Sequence, residues 1–316
     1  MIQILYQHPL SGQAWDITTT ISSATWETKR RGSPASLSVK QVSPGPVQWA
    51  EGGTLIFKKD GAGVFLGYVF DIEQDETDRV TVKAYDQMRY LKNKDTYVFE
   101  GQRADQVIQQ IAADFGLTLG PIANTGYVIP SMVEDIQTLL DIMLKALDLT
   151  IINTGKMYVL WDDFGKLTLS DADALKLGLM IGDASLATGY KYRSEIDSAT
   201  ANQIKLVRDN KKSGKRDVYL IQDSDSIRTW GILMHQEKVN ENLNSAQIDS
   251  LGQSMLELKN RPSRTFTVNA LTSDVSVRAG RSIFIRIADL GVSAFHLIEE
   301  ASHDLVNEKM TLKLKV

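Results

Sequence analysis

The sequence predicts an α+β protein that is mainly β, with two tube-like antiparallel β-barrel domains flanking a small helix-helix-hairpin α/β domain. Short segments of alternating apolar and polar residues dominate both ends of the chain. Apolar residues at helical spacing replace them in the middle, and the two β regions share a sequence pattern. We therefore expect domains at residues 1–98, 99–171 and 172–316.

The first domain is predicted from short strands separated by turns. Residues 36–40 and 80–84 alternate between apolar and polar side chains, which places the apolar ones on a single face of a strand. Glycines at 52–53 and 61–63 interrupt the strand pattern between these segments. A small antiparallel sheet or barrel is the expected result.

The middle domain is predicted from a change of period. Apolar residues within 104–115 recur at helical spacing, and Gly116 follows where a helix commonly ends. A second amphipathic helix is expected at residues 135–147. Residues 149–152 and 157–160 are apolar runs on either side of a turn that contains glycine, so we interpret them as a β-hairpin.

In the last domain, the strand pattern returns. Residues 202–208 and 217–222 flank a charged tip, which is typical of a long hairpin. Apolar residues within 248–258 predict a third helix that ends before Pro262, because proline disfavours helical geometry in the residue before it. Alternating strands resume at residues 265–270 and are expected to continue to the end of the chain.

The two β regions are interpreted as copies of one domain. Three segments match in the same order, namely residues 51–57 with 278–284 (Gly53 opposite Gly280), Phe65 with Phe295, and residues 80–84 with 310–314. A chance likeness between two antiparallel sheets could explain any single segment. Their shared order favours a duplication.

Composition excludes several classes of protein. The chain has 316 residues, of which 43% are hydrophobic, enough for two or three domains with their own cores. A net charge of -4 provides no overall basic field for nucleic acid, and the absence of cysteine excludes disulfides and thiolate chemistry. No basic segment precedes an apolar run at the N-terminus, so neither export by a signal peptide nor membrane insertion is expected.

No catalytic residues are expected. The chain lacks the His-Glu-x-x-His, Gly-x-Ser-x-Gly and Walker sequences, whose spacing brings reactive groups together. Carboxylates such as Asp162, Asp163, Asp171 and Asp173 are neighbours in sequence only. Such neighbours do not fix the separation of about 5–9.5 Å that a glycosidase pair requires.

Cofactor and metal sites are not expected either. His296 and His303 have no third ligand at a fixed spacing, and the acidic residues within 71–78 lack the order of a calcium loop. Basic residues at 29–31 and 211–216 lack the interleaved aromatic side chains that stack on bases. We therefore expect no specific nucleic-acid binding.

The order of these elements resembles that of the baseplate hub proteins of contractile phage tails and phage-tail-like bacteriocins. The likeness is greatest to the hub family of PBSX-type prophages (late control protein D-like). It covers nearly the whole chain and is carried by residues 103–116, residues 135–160, Trp230-Gly231 with the helix after them, residues 278–285 and His303.

The resemblance implies a structural role without enzymatic activity. Members of the family form homotrimers in which two tube-like barrels per subunit make a ring of six similar modules, matching a sixfold tail tube to a threefold central spike. The implied partners are other copies of the chain, the tail tube protein, the central spike protein, and other baseplate and tape-measure proteins. The implied location is the baseplate of a phage tail or tail-like particle, made in the bacterial cytoplasm and released by lysis.

The charged hairpin tip is the predicted contact site. We expect it to project from the second barrel and to face the lumen or the adjoining tube protein through Lys211, Lys212, Lys215 and Arg216. Two alternatives remain open at this point. One is a cell-wall hydrolase or glycan-binding tail component with a site in residues 100–170, and the other is a tail-tube or secretion component that forms rings by itself.

Overall fold

The computed structural model describes residues 1–42, 45–182, 185–210, 215–272 and 274–315. Strands dominate both ends of the chain, and the longest helices lie in its middle and before its last strands. Most strand pairs are antiparallel. The predicted α+β, mainly β class is therefore confirmed in this broad form. The closed-barrel form of the two end regions remains a prediction.

The first β region buries one face of its strands around a single core. The strands predicted at residues 36–40 and 80–84 are both present, and their apolar residues are buried in this core. The elements are β1 (Ile2–Gln7), β2 (Ala14–Asp16), β3 (Ile21–Lys29), β4 (Ser36–Val42), β5 (Thr54–Lys59), β6 (Ala62–Gln74), β7 (Arg79–Tyr85) and a 3-10 helix (Gln87–Lys92).

The middle region packs two helices against two small sheets. The first helix lies where its periodicity predicts, and Gly116, which follows it, has a φ of 64°. The elements are β8 (Lys94–Arg103), α1 (Ala104–Asp114), β9 (Leu119–Ile122), β10 (Val128–Thr138), α2 (Leu139–Thr154), β11 (Tyr158–Asp162) and β12 (Leu167–Asp171).

The second helix and the hairpin of this region differ from the prediction. Thr138 caps α2, because its side chain accepts a hydrogen bond from Asp141 N, so residues 135–138 belong to β10 instead. The apolar run 149–152 continues α2, which ends at Gly155 in the left-handed conformation. The predicted hairpin is therefore wrong, and β11 and β12 form the hairpin instead.

The second β region is interrupted by a separate module. Its own elements are a 3-10 helix (Ala172–Leu175), β13 (Lys176–Gly182) and β14 (Ala187–Glu195) before the module, and β18 (Ser263–Leu271), β19 (Ser282–Ile287), a 3-10 helix (Ala288–Leu290), β20 (Val292–Asp304) and β21 (Lys309–Lys315) after it. The interrupting elements, which we call the hairpin module, are β15 (Gln203–Asn210), β16 (Lys215–Gln222), α3 (Ser224–Trp230), β17 (Met234–Lys238) and α4 (Ser245–Lys259).

The hairpin module has its own core. The predicted hairpin is confirmed as β15 and β16, and the predicted third helix is confirmed as α4. Helix α3 and strand β17 were not predicted from the sequence. Ile204 and Leu206 are buried in the core that the module's sheet and α4 share, whereas Val218 and Leu220 are exposed. The apolar stem of the hairpin is therefore covered on one face only.

The two β regions have the same strand order. In the first, the strands lie side by side in the order β1, β5, β6, β7, β4, β3; in the second, the order is β13, β19, β20, β21, β18, β14. Each of the six strands in the first region therefore has one counterpart in the second, at the same place in the chain order and in the sheet. We call residues 1–85 the first repeat, and residues 176–195 with 263–315 the second repeat. One pair differs in direction, since β1 is antiparallel to β5 whereas β13 is parallel to β19.

The register of the repeat differs by one residue from the sequence match. Gly52 N donates to Val69 O at 2.8 Å, and Gly280 N donates to Ile298 O at 2.8 Å. Both glycines have a positive φ, 78° and 87°, while Gly53 does not. The match of Gly53 with Gly280 is therefore wrong, and the structural counterpart of Gly280 is Gly52.

This shift matters because side chains alternate along a strand. Phe57 is fully buried, whereas Phe284, its partner in the sequence match, lies on the outward face of β19. The structural counterpart of Phe57 is Ile285, which is also fully buried. The match of residues 80–84 with 310–314 agrees with the structure in both register and burial.

A shared bulge supports the corrected register. The ladder of β6 with β7 shifts directly after Val69, and the ladder of β20 with β21 shifts directly after Ile298. Bulges are local features that a random likeness between two sheets does not reproduce. In this register Phe65 corresponds to Ala294 and not to Phe295, so that match is also wrong by one residue.

Candidate assembly interfaces

Strand β3 of the first repeat pairs with β20 of the second, so the two repeats form one continuous sheet of 13 strands in the described residues. Residues 25–29 lie antiparallel to residues 300–304. Beyond them, Arg30 N donates to Glu299 O at 2.9 Å. We call this pairing the intrachain seam.

The buried side of the seam is aromatic and apolar. Trp26 lies opposite His303 with their ring centroids 5.1 Å apart, and His303 Nε2 lies 2.6 Å from Val277 O. Burial lowers the pKa of His303, which favours the neutral imidazole. Leu305 of the second repeat is buried in the core of the first, and its N–H donates to Ala24 O at 2.9 Å.

Ion pairs also stabilise the seam. Arg30 Nε and Nη2 donate to the two carboxylate oxygens of Glu299 at 2.8 and 2.9 Å, which is a bidentate geometry. Lys313 Nζ lies 3.0 Å from Glu300, and Lys29 Nζ lies 4.0 Å from the same carboxylate. The contact between the repeats thus combines main-chain hydrogen bonds, a buried aromatic pair and complementary charges.

Each repeat also keeps one strand edge of the two types joined in the seam that no described strand covers. Strand β14, the counterpart of β3, pairs with β18 on one side only. Residues 70–74 of β6, the counterpart of the β20 segment in the seam, pair with β7 on one side only. Tyr190 and Tyr192 on β14 are 40% and 43% exposed. Trp26, which is the counterpart of Tyr192 on β3, is buried. We call these two strand segments the free edges.

A buried polar cluster joins the two repeats and the middle region. Arg278 Nη1 donates to Asp162 O at 3.1 Å, and the guanidinium lies 4.1 Å from the ring centroid of Trp161. Burial lowers the pKa of Arg278 to about 10, so the side chain stays charged at neutral pH. Burial, together with the nearby Asp162, raises the pKa of Asp86 well above its usual value. Asp86 Oδ2 also accepts a hydrogen bond from Ala35 N of the first repeat at 3.1 Å, so the cluster connects the middle region to both repeats.

The charged end of the hairpin lies partly outside the described residues, which include Lys215 and Arg216 but not Lys211 and Lys212. Both described residues belong to β16, so the strands extend further into the predicted tip than expected. Arg216 Nε lies 3.1 Å from Asp209 Oδ1, and Lys238 Nζ lies 2.6 Å from the other oxygen of that carboxylate. Arg216 is therefore engaged in a cross-strand ion pair within its own sheet.

Asp162 and Asp171, two of the carboxylates considered for a glycosidase pair, make structural hydrogen bonds and lie far apart. Asp162 is buried and accepts hydrogen bonds from Gln87 Nε2 and Gly165 N, both at 2.8 Å. Asp171 caps a 3-10 helix by accepting a hydrogen bond from Asp173 N at 2.9 Å. Asp162 and Asp171 lie at opposite ends of the β11–β12 hairpin, about 13 Å apart at ~3.3 Å per residue. A catalytic carboxylate pair is closer than this.

The two neighbouring histidines contact different main-chain carbonyls. His296 Nδ1 lies 3.4 Å from Lys315 O, while His303 contacts Val277 O. Within the described residues, no group of three or more histidine, cysteine, aspartate or glutamate side chains is placed to hold a metal ion. In the same part of the chain, no helix has the length and apolar character needed to span a membrane.

Comparison with known proteins gives relatives and a shared fold. The chain is 34% identical over 294 residues to the uncharacterized protein YqbQ of Bacillus subtilis (strain 168), covering 90% of this chain and 87% of that one. It is 33% identical over 295 residues, with the same coverage, to the phage-like element PBSX protein XkdQ of the same organism. The 43 kDa tail protein of prophage MuSo2 from Shewanella oneidensis has the same fold, with a TM-score of 0.72, 13% identity and coverage of 99% and 98%.

These relatives agree with the likeness to PBSX-type prophage proteins that the order of elements predicts. The match to a protein family covers residues 24–316, which include the first repeat from residue 24 onwards, the middle region, the hairpin module and the second repeat. The likeness thus extends over nearly the whole architecture and is not confined to one sheet. The chain belongs to the YQBQ-like family.

Proposed function

We propose that the protein is a non-enzymatic structural subunit of a phage-type tail baseplate, in which three copies form a pseudo-sixfold hub ring between the tail tube and the central spike. The name of XkdQ, which assigns it to a phage-like element, supports this role, as does the shared fold with a prophage tail protein. Such a subunit is made in the bacterial cytoplasm and assembled into the baseplate. Its partners are further copies of itself and the tube, spike, tape-measure and other baseplate proteins.

The observation that carries the proposal is the repeat with its two free edges. The intrachain seam joins the β3-type edge of one repeat to the β20-type edge of the other, which leaves one edge of each type uncovered. Two different, complementary edges on one chain favour a head-to-tail contact, and head-to-tail contacts that close form rings. Three chains with two repeats each then give six similar positions.

The domain division follows from the same proposal. Residues 1–98 and 172–316 each supply one tube-like wall segment, and residues 99–171 pack outside them as a separate α/β domain. The proposed barrel closes when neighbouring repeats add their strands. This would explain why, in the described residues, the strand pairs of a single chain form an open path.

The charged end of the hairpin remains our candidate for contact with the tail tube. Its candidate residues are the three lysines Lys211, Lys212 and Lys215 together with Arg216, which pairs with Asp209. Reversing the charge of these three lysines should leave the ring intact and weaken its joining to the tube. Unchanged particle assembly would contradict this part of the proposal.

The mass of the full chain in solution tests the ring. Native mass measurement over a range of concentrations should show a species of three chains, each of 35.1 kDa, in equilibrium with monomer. The trimer fraction should increase with concentration. A dimer, or a ring of six chains, would contradict the proposed hub.

A further inference from the structure

We propose that β14 of one subunit pairs antiparallel with residues 70–74 of β6 in the next subunit, in the register of the intrachain seam. This proposal rests on the trimeric ring and names the strands that close it. The argument begins from the seam itself, which shows how a β3-type edge meets a β20-type edge in this protein. The same two types of edge remain free at the other ends of the repeats.

The repeat gives the register of the proposed contact. Shared ladder positions make Glu27 the counterpart of Arg193, and Ser302 the counterpart of Glu73. Because Glu27 lies opposite Ser302 in the seam, Arg193 is expected to lie opposite Glu73 of the neighbour. The same transfer gives the pairs Lys191 with Asp75, Tyr192 with Gln74, Ser194 with Ile72 and Glu195 with Asp71.

The charges on the two free edges agree with this register. Arg193 faces Glu73 and Lys191 faces Asp75, so two directly opposed pairs carry opposite charges, which stabilises cross-strand pairing. Glu195 and Asp71 form a like-charged pair. Each of these two carboxylates has a cation nearby, since Arg193 Nη2 lies 3.2 Å from Glu195, and Lys83 is the ladder partner of Asp71.

Burial gives a second, independent argument. Trp26 on β3 is 1% exposed because the seam covers it, whereas Tyr192 in the equivalent position is 43% exposed. Phe70, beside the free edge of β6, is 37% exposed, and the seam geometry places it opposite Ile196 of the neighbour. A long edge strand with exposed aromatic side chains tends to pair with another chain. The proposed contact covers the two tyrosines of β14 and this apolar pair.

Charge opposes a twofold contact of the β6 edge with its own copy, because residues 70–75 carry three carboxylates and no cation. A contact of β6 with itself would bring Asp71, Glu73 and Asp75 together. Like charges directly opposite each other destabilise strand pairing. The contact between the two different edges instead places cations opposite carboxylates at two positions, Arg193 with Glu73 and Lys191 with Asp75.

Engineered disulfides test the register directly, because the chain has no cysteine of its own. The seam hydrogen bond from Arg30 N to Glu299 O makes Glu27 and Ser302 a non-hydrogen-bonded pair, whose side chains are the closer type. Its counterpart, Glu73 with Arg193, should therefore cross-link between subunits. In the full-length protein with both Glu73→Cys and Arg193→Cys, oxidation should give a covalent species of three chains in a denaturing gel without reductant.

Four control variants, two with a pair of cysteines and two with a single cysteine, show how the result is to be interpreted. Glu27→Cys with Ser302→Cys should form a disulfide within one chain and leave the mass at that of a monomer in the denaturing gel. Glu73→Cys with Ser194→Cys should not cross-link, because residue 194 faces the opposite side of the strand. Neither Glu73→Cys nor Arg193→Cys alone should cross-link.

The outcomes separate this proposal from the proposed function. A native trimer that forms no Glu73–Arg193 cross-link, or that cross-links through residue 194, would overturn the strand pairing and leave the ring in place. A dimer cross-linked by one single-cysteine variant would overturn both. A chain that stays monomeric at every concentration, without cross-links, would also overturn both.

Discussion

At the scale of single residues, the imidazole of His303 makes the intrachain seam sensitive to acid. Its ring is buried against Trp26 and bonded to Val277 O, and burial lowers its pKa in the folded protein. In the unfolded chain a histidine has a pKa of about 6.5. Because the folded pKa is the lower one, the unfolded state binds more protons below that pH, and acid destabilises the fold.

The pH dependence of unfolding should therefore change when this histidine is removed. Stability of the wild-type chain should be full above about pH 6.5 and should fall as the pH drops through the folded pKa of His303. The variant His303→Gln has at this position the same residue as Gln74, its counterpart in the first repeat. Its loss of stability at low pH should be smaller than that of the wild-type chain. Burial also lowers the pKa of His296, so the variant with both histidines replaced should lose still less. Urea unfolding at several pH values measures the slopes, and identical slopes in all variants would contradict this role.

A charge exchange should reveal the Glu73–Arg193 pair. Glu73→Arg places like charges opposite each other, which costs about 0.2–1 kcal/mol per contact. The association constant of that contact should fall roughly 1.4- to fivefold. The double variant Glu73→Arg with Arg193→Glu should restore assembly, because the charges are again opposite. Native mass measurement in a dilution series compares the two. Equal weakening in the single and double variants would argue against a direct pair.

The match of single residues between the two repeats, made from the sequence, was also wrong by one position. Gly53 and Gly280 precede segments of similar sequence, so a sequence match places them opposite each other. The backbone instead requires the left-handed conformation at Gly52 and Gly280. The adjacent glycines at 52 and 53 conceal this difference in sequence, and only the hydrogen bonds of the strand that follows resolve it.

At the scale of elements, the packing of α4 on the hairpin depends on a glycine. A side chain at Gly252 would meet Ile221 Cδ1 at 2.4 Å and Leu206 Cδ1 at 3.4 Å. Helix α4 thus lies close against β15 and β16, the hairpin that ends at the candidate contact with the tube. The hairpin module has a core separate from those of the two repeats.

Enlarging this position should loosen the hairpin module selectively. Gly252→Leu is expected to destabilise it by about 1–3 kcal/mol through overpacking, while the repeats keep their own cores. Gln253→Leu, on the exposed face of α4, is the matched control and should have little effect. Hydrogen exchange resolved along the chain should show faster exchange in residues 203–259 only. Equal loss of protection in both repeats would contradict an independent module.

Elements whose apolar residues recur at regular spacing could be predicted from the sequence. Elements whose structure depends on packing against other parts of the chain could not. Helices α1 and α4 show apolar residues at helical spacing, and the hairpin of β15 with β16 has two apolar arms around a polar turn. In α2 the run 149–152 contains threonine and two isoleucines, which favour strands locally. The helix persists there, where Leu149 packs against the core of the middle region and Ile152 packs against the core of the hairpin module.

At the scale of the whole molecule, the repeat explains where the additional regions lie. The middle region is inserted between the two repeats, and the hairpin module is inserted between β14 and β18. The equivalent strands of the first repeat, β3 and β4, are joined by residues 30–35 alone. Both insertions thus leave the shared strand order intact.

The continuous sheet could not be predicted from sequence pattern. Alternation predicts which face of a strand is buried, and it carries no information about which strand lies beside which. The contact of β3 with β20 joins residues more than 270 positions apart. The same limit applies to the contact between subunits, whose strands became identifiable only after the seam and the repeat were compared.

An electron microscopy reconstruction of the assembled full-length protein, viewed along its symmetry axis, tests the central claim most directly. We predict a ring of three chains with six similar β modules, in which each β14 continues the sheet of its neighbour through β6. A ring of three chains without this continuity would contradict the strand pairing alone. A twofold assembly, or a ring with one chain for each of the six modules, would contradict the account as a whole.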